Sequence, residues 1–270
     1  MRRRTLVLGA IVLAAAAMCG VWWATQRRPV AVSDDGSVEI VRAEFGTRIE
    51  YAATQPGWRR LLGRRTVSKD SAAPLLWIWH RGAGHVPQRE VTVTGACGCR
   101  FPVIGLASID AGPDDEEVGW AQTFPRRSPA LVLGFNDRAA TVRFANPAPA
   151  PPTASSDGVG DLPVSVPVGD ETWILAPDPD PTFVSVRALD ARRSGIYWQV
   201  RGARFRDASG NVVLRAGEPF AREHRLRLPL AGDPYHLCPH EPWWELELDA
   251  ADGKTVTFRF RPPRADDAPK

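Results

Sequence analysis

The residues whose types and spacing could do chemistry are few. Cys97-Gly-Cys99 and His236-Leu-Cys238-Pro-His240 each set soft ligands at alternate positions, so each group would point one way if its backbone were extended. Thiolate with imidazole is the donor set that zinc or cuprous copper prefers. Two cysteines with two histidines, or three cysteines with one histidine, could be drawn from Cys97, Cys99, His236, Cys238 and His240. Neither cluster is a Cys-x-x-Cys knuckle, the two lie far apart in the chain, and Pro234 and Pro239 make the second a loop. The same cysteines support a plainer reading. In an oxidising compartment Cys238 would pair with Cys97 or Cys99 and leave one thiol free, and the spacing does not choose between them. Unpaired buried cysteines, serving as small core residues, are the third reading.

Other candidates carry less chemistry. Trp243 and Trp244 precede a strand, and adjacent residues of a regular strand cannot both face inward, so one indole of the pair is a candidate contact for a sugar ring or a partner. Trp77 and Trp79 share one side of a strand and read as core. His80 and His85 flank a glycine-containing turn and read as surface loop residues. Asp114-Asp-Glu-Glu117 reads as a solvated acidic loop, although glycosidases do use paired carboxylates. No G-x-S-x-G elbow and no phosphate-cradling glycine loop occurs. An enzyme would therefore have to be a hydrolase with a site assembled from distant loops.

Stepping outward, the chain has 270 residues, 44% hydrophobic and 24% charged, enough to bury a real core. Its 25 prolines and 23 glycines favour short strands and turns over long helices. The formal charge of +3 is spread along the chain, which excludes the basic footprint of a nucleic-acid binder.

Residues 1–28 read as an N-terminal signal anchor. Met1-Arg-Arg-Arg4 precedes an uncharged run from Thr5 to Ala24, about 30 Å as a helix, and Arg27-Arg28-Pro29 ends it. Trp22 and Trp23 sit where indoles favour a membrane interface, and the arginines hold the N-terminus in the cytoplasm, with the bulk of the chain outside. The alternative is a signal peptide cleaved near Ala15-Ala16-Ala17, leaving a secreted or periplasmic protein. A lipid-modified Cys19 is disfavoured because Met18 precedes it.

Beyond the anchor, short apolar or alternating runs separated by turns predict strands. They cover Val38 to Ala43, Arg48 to Ala52, Pro74 to His80, Arg89 to Thr94, Arg100 to Ala107, Val118 to Phe124, Ala130 to Phe135 and Ala140 to Phe144. After a proline-rich break they resume at Thr172 to Ala176, Phe183 to Ala188, Ile196 to Arg206, Asn211 to Arg215, Glu223 to Leu230, Trp244 to Asp249 and Lys254 to Phe260. A bulge is expected near Gly202, and hairpin turns at Asp207 to Asn211 and Ala251 to Lys254. The expected fold is all-β, with two immunoglobulin-like or fibronectin-like β-sandwich domains at 37–147 and 161–264 joined by a proline-rich linker at 148–160. Thr141-Val-Arg-Phe-Ala-Asn-Pro147 matches Thr257-Phe-Arg-Phe-Arg-Pro-Pro263, which suggests two related modules.

Two stretches, Phe124-Pro-Arg-Arg-Ser to Asn146-Pro147 and Leu237-Cys-Pro-His-Glu-Pro-Trp-Trp to Phe260, are similar to uncharacterised bacterial families with an N-terminal apolar segment and β-sandwich regions. That resemblance implies an exported β fold and no activity. The functional expectation is a non-enzymatic, membrane-tethered binding or envelope-structural protein, whose partner is an envelope protein or a glycan. A zinc- or copper-binding protein is the alternative.

Overall fold

The structure is a computed structural model. It describes residues 29–53, 65–82, 91–108, 116–136, 139–153, 155–189, 200–215, 218–219, 224–231, 233, 235–250, 253 and 255–263. The predicted anchor lies outside them, and no helix among the described residues is long and apolar enough to cross a membrane.

Strands are the only regular secondary structure among the described residues. The first nine are β1 (Ala31–Val32), β2 (Glu39–Ala53), β3 (Arg65–Arg81), β4 (Val91–Thr94), β5 (Arg100–Pro102), β6 (Ile104–Ser108), β7 (Glu116–Ala121), β8 (Ala130–Phe135) and β9 (Thr141–Ala145). They build two antiparallel sheets, ordered β1-β2-β3-β7-β6 and β5-β4-β8-β9. The next nine are β10 (Val164–Val168), β11 (Glu171–Pro177), β12 (Phe183–Leu189), β13 (Val200–Asp207), β14 (Val212–Arg215), β15 (Glu218–Pro219), β16 (His224–Arg227), β17 (Trp244–Ala250) and β18 (Thr255–Phe260). They build sheets ordered β10-β11-β12-β16-β15 and β14-β13-β17-β18. Adding nine to each strand number of the first pair of sheets reproduces the second pair, so the chain carries one topology twice.

Alternation explains the cores. In β8 every second residue is buried, placing Leu131, Leu133 and Phe135 inward, and β9 adds Val142 and Phe144. These side chains meet Ile40, Leu76 and Ile78 of the other sheet in one apolar cluster. The second half repeats this with Trp244, Leu246, Leu248, Val256, Phe258 and Phe260 against Trp173, Leu175, Val184 and Val186. Full burial of one such side chain is worth roughly 1.5–3 kcal/mol. The matching tails are equivalent edge strands, because Phe144 of β9 sits opposite Leu131 as Phe260 of β18 sits opposite Trp244.

Several expected strands change on folding. The segments expected at Val38 to Ala43 and Arg48 to Ala52 are one strand, β2, whose pairing with β3 slips twice, between Ile40 and Arg42 and between Gly46 and Arg48. The second slip consumes residues 71–74 of β3, and beyond it Ile49 packs on the outer face of the sheet with Leu75, Trp77, Trp79 and Val118. Trp77 and Trp79 are thus buried in a small outer core, and the Trp77 indole N–H donates to Gly46 O at 3.0 Å. The run from Arg100 to Ala107 divides at fully buried Val103, with β5 in one sheet and β6 in the other. Gly202 does sit at a register slip, and the hairpin turn expected at Asp207 to Asn211 joins β13 to β14, while three of the four residues of the turn expected at Ala251 to Lys254 lie outside the described residues. His80 is corrected: it lies inside β3, fully buried, edge-on to Phe135 with centroids 5.6 Å apart. Burial pushes its pKa down to about 4. His85 lies outside the described residues.

Candidate functional site

Cys97 and Cys99 occupy the turn from β4 to β5, and this backbone is not extended. Gly98 N–H donates to Gly95 O at 3.0 Å, and Gly98 has φ +76°, a left-handed conformation that suits glycine. The reversal at Gly98, rather than strand alternation, brings both sulfurs to one side. The turn is anchored by close approach. A Cβ at Gly95 would stand 2.3 Å from Ser128 Oγ and 2.4 Å from Pro125 Cγ. Ala96 N–H donates to the same Ser128 Oγ at 2.9 Å.

Cys238 arrives from the other half, in the loop between β16 and β17. Its carbonyl accepts from Glu241 N at 3.2 Å and from the buried Trp244 indole at 3.1 Å, while Leu237 N–H donates to Pro229 O at 2.9 Å. Cys238 is 3% exposed, whereas Cys97 and Cys99 are half-buried.

The three sulfurs lie within 4.8 Å of one another, and Cys99 Sγ is 3.4 Å from Cys238 Sγ. No bridge joins them. Packed so closely, the cluster favours one negative charge. The Cys238 thiol donates to Cys97, and with hydrogen bonds from Cys99 this lowers the Cys97 pKa to about 5 against the effect of burial. Burial raises Cys99 to about 11. Cys238 is pushed up because its proton is held by Cys97 and because it is buried.

Of the five ligands expected from sequence, the structure brings together Cys97, Cys99 and Cys238. His236 and His240 stand outside that group of donor atoms. The His236 ring stacks on Phe101 of the first half, with centroids 4.5 Å apart and planes 10° from parallel, and its Nδ1 lies 3.2 Å from Asp233 O. Burial lowers its pKa, so the ring is held neutral. His240 is exposed at the rim.

The topological repeat places a second turn at the equivalent position. Gly95-Ala-Cys-Gly-Cys99 corresponds to Asp207-Ala-Ser-Gly-Asn211, and Gly210 N–H donates to Asp207 O at 2.9 Å with Gly210 at φ +83°. Cys99 corresponds to Asn211, and each reaches into the opposite half. Asn211 Oδ1 accepts from Phe124 N at 3.3 Å, and its Nδ2 donates to Phe124 O at 2.9 Å and to Asp207 Oδ2 at 2.8 Å. Arg127 adds bonds from the first half to Ala208 O at 2.9 Å and to Glu241 Oε2 at 3.0 Å, and Ser209 Oγ donates to Glu241 Oε1. Gln122 Nε2 donates to Val212 O at 3.0 Å. Burial drives the Asp207 pKa up to about 7 against the hydrogen bonds from Asn211 and Ser209. Sequence reasoning found this turn but not its role as a latch. The available signal was the shared alanine and glycine of the two five-residue turns, aligned by the matching tails.

The tryptophan pair divides as alternation requires. Trp244 is fully buried, and Trp243 is half-buried with the Arg259 guanidinium 4.5 Å above its ring. A groove of about 950 Å³ in the second half is lined by Leu162, Pro177, Pro179, Pro181, Pro239 and Pro263 among others. Asp114 and Asp115 fall outside the described residues, while Glu117 is buried on β7. Comparison with protein-family models, curated proteins and solved structures finds no match to this chain.

Proposed function

We propose that this chain is a non-enzymatic soft-metal-binding protein of the extracytoplasmic space, tethered by its N-terminal apolar segment. In this reading its two halves are immunoglobulin-like β-sandwich modules. The observation that carries the metal reading is the convergence of Cys97, Cys99 and Cys238 within 4.8 Å, contributed by both halves. Three thiolates suit cuprous copper, which is soft and is selected by sulfur ligands. Structural zinc takes four ligands, and here the fourth would have to be His240 or a water. The β4–β5 turn would hold two ligands and the Cys238 loop the third, so a bound ion would clamp the halves together.

The test is copper retention. Reduced full-length protein in detergent should carry about one Cu(I) through gel filtration against a weak chelator, and Cys238→Ser should abolish retention. Because Cys97 is already ionised near neutrality while Cys99 and Cys238 are not, loading at pH 7 should release about two protons per ion. Retention unchanged in Cys238→Ser would overturn the reading. Zinc retained in place of copper would change the metal and keep the site.

A second reading rests on the 3.4 Å contact of Cys99 with Cys238. Here the two form a disulfide that ties the halves, and it would stabilise the fold by roughly 2–4 kcal/mol. Peptide mapping of the protein isolated without reductant distinguishes this state from the metal-loaded one.

A further inference from the structure

We propose that in the metal-free protein the three cysteines form a thiol–disulfide exchange centre acting on the disulfides of small thiols, with Cys97 attacking, Cys238 resolving and Cys99 storing the oxidised state. The inference goes beyond metal binding and does not rest on it. Its basis is positional. An exchange centre needs one accessible sulfur, a second within reach to displace the mixed disulfide, and a pair able to close. Cys97 and Cys99 are both half-exposed on the turn and Cys238 is buried within 4.8 Å of them, but Cys99 Sγ is already in contact with Cys238 Sγ at 3.4 Å, which leaves Cys97 as the sulfur free to meet an incoming disulfide. Closing that contact to the ~2.05 Å of a bond asks for a shift of little more than an ångström. The second half shows what a purely structural turn looks like at this position, since Ser209 and Asn211 are buried and fully engaged.

The attacking form of a cysteine is its thiolate. In the first step the Cys97 thiolate attacks R–S–S–R, forming Cys97–S–S–R and expelling RS⁻. Cys238 then attacks the Cys97 sulfur, giving a Cys97–Cys238 disulfide while its proton leaves with the second thiol. Cys99 attacks Cys238 in turn, forming Cys99–S–S–Cys238, returning Cys97 as thiolate and releasing the last proton. Two protein thiols are oxidised and one R–S–S–R becomes two RSH.

The experiment uses the reduced, chelator-stripped full chain with oxidised glutathione as probe. Oxidised glutathione should yield one disulfide, mapped to Cys99–Cys238, and one remaining thiol. Cys238→Ala should trap glutathione on Cys97, and Cys97→Ser should slow the reaction by at least about tenfold while leaving the circular dichroism unchanged. Adducts spread over all three cysteines or no trapping in Cys238→Ala would overturn the proposal. Failure to retain copper with exchange intact removes only the metal reading, and copper retention without exchange removes only this one.

Discussion

The turns Gly95–Cys99 and Asp207–Asn211 hold the same place in two copies of one topology, with the same internal hydrogen bond and the same left-handed glycine. One is largely buried, bonded within itself through Asp207 and across to Phe124 of the other half through the Asn211 side chain. The other remains half-open and presents sulfur. A repeated fold thus meets itself at two equivalent corners, and the hydrogen-bonded corner fixes the alignment that lets the sulfur corner converge. Rigidity and reactivity have been divided between copies rather than combined in one turn.

The largest effect should come from unfastening the latch. Asn211→Ala would leave the Phe124 N–H and C=O buried without partners and remove a donor from Asp207, a loss of about 3–5 kcal/mol. Cys99→Ser in the reduced, metal-free protein should cost under about 1 kcal/mol, because that turn is half-open and its sulfur makes no strong bond. Urea unfolding of the two variants measures the asymmetry. Equal losses would mean that the corners share the structural role.

Acidity should separate the halves as well. His80, in the first half, has a folded pKa of about 4 against 6.5 unfolded. Its contribution is complete above pH 6.5 and lost as pH falls through 4, about 3 kcal/mol in all. Asp207, in the second, has a pKa raised from 3.8 to about 7. Its contribution is complete below pH 3.8 and lost as pH rises through 7. Thermal unfolding from pH 4 to 7 should therefore show His80→Leu rising less with pH than the parent protein, and Asp207→Asn rising more. The His80 change is expected to be the larger in practice, because three hydrogen bonds hold the Asp207 carboxylate when it ionises.

The strand pattern was legible because half-buried strands alternate, as β8 and β9 do. Where one segment serves two surroundings the alternation misleads. The β2 strand slips against β3 to cover an outer core, and the β5–β6 run changes sheets at Val103. The closeness of Cys97 to Cys99 was legible in their spacing, but it is Gly98, not the strand period, that turns their sulfurs to one side. His236 stands apart from the three sulfurs for a related reason. Its ring lies flat against buried Phe101 with Nδ1 at the Asp233 carbonyl, contacts that only the tertiary fold reveals. The latch went unread because its polar residues look like any hydrogen-bonded hairpin turn, and what they grip lies in the other half.

The central claim is that sulfurs from both halves meet at one point, and X-ray absorption at the copper edge of the Cu(I)-loaded, reduced full chain tests it most directly. The structure predicts a first shell of three sulfur atoms with no nitrogen scatterer, reduced to two sulfurs or lost outright in Cys238→Ser. A shell of one or two sulfurs with imidazole nitrogen in the parent protein, unchanged by Cys238→Ser, would contradict it.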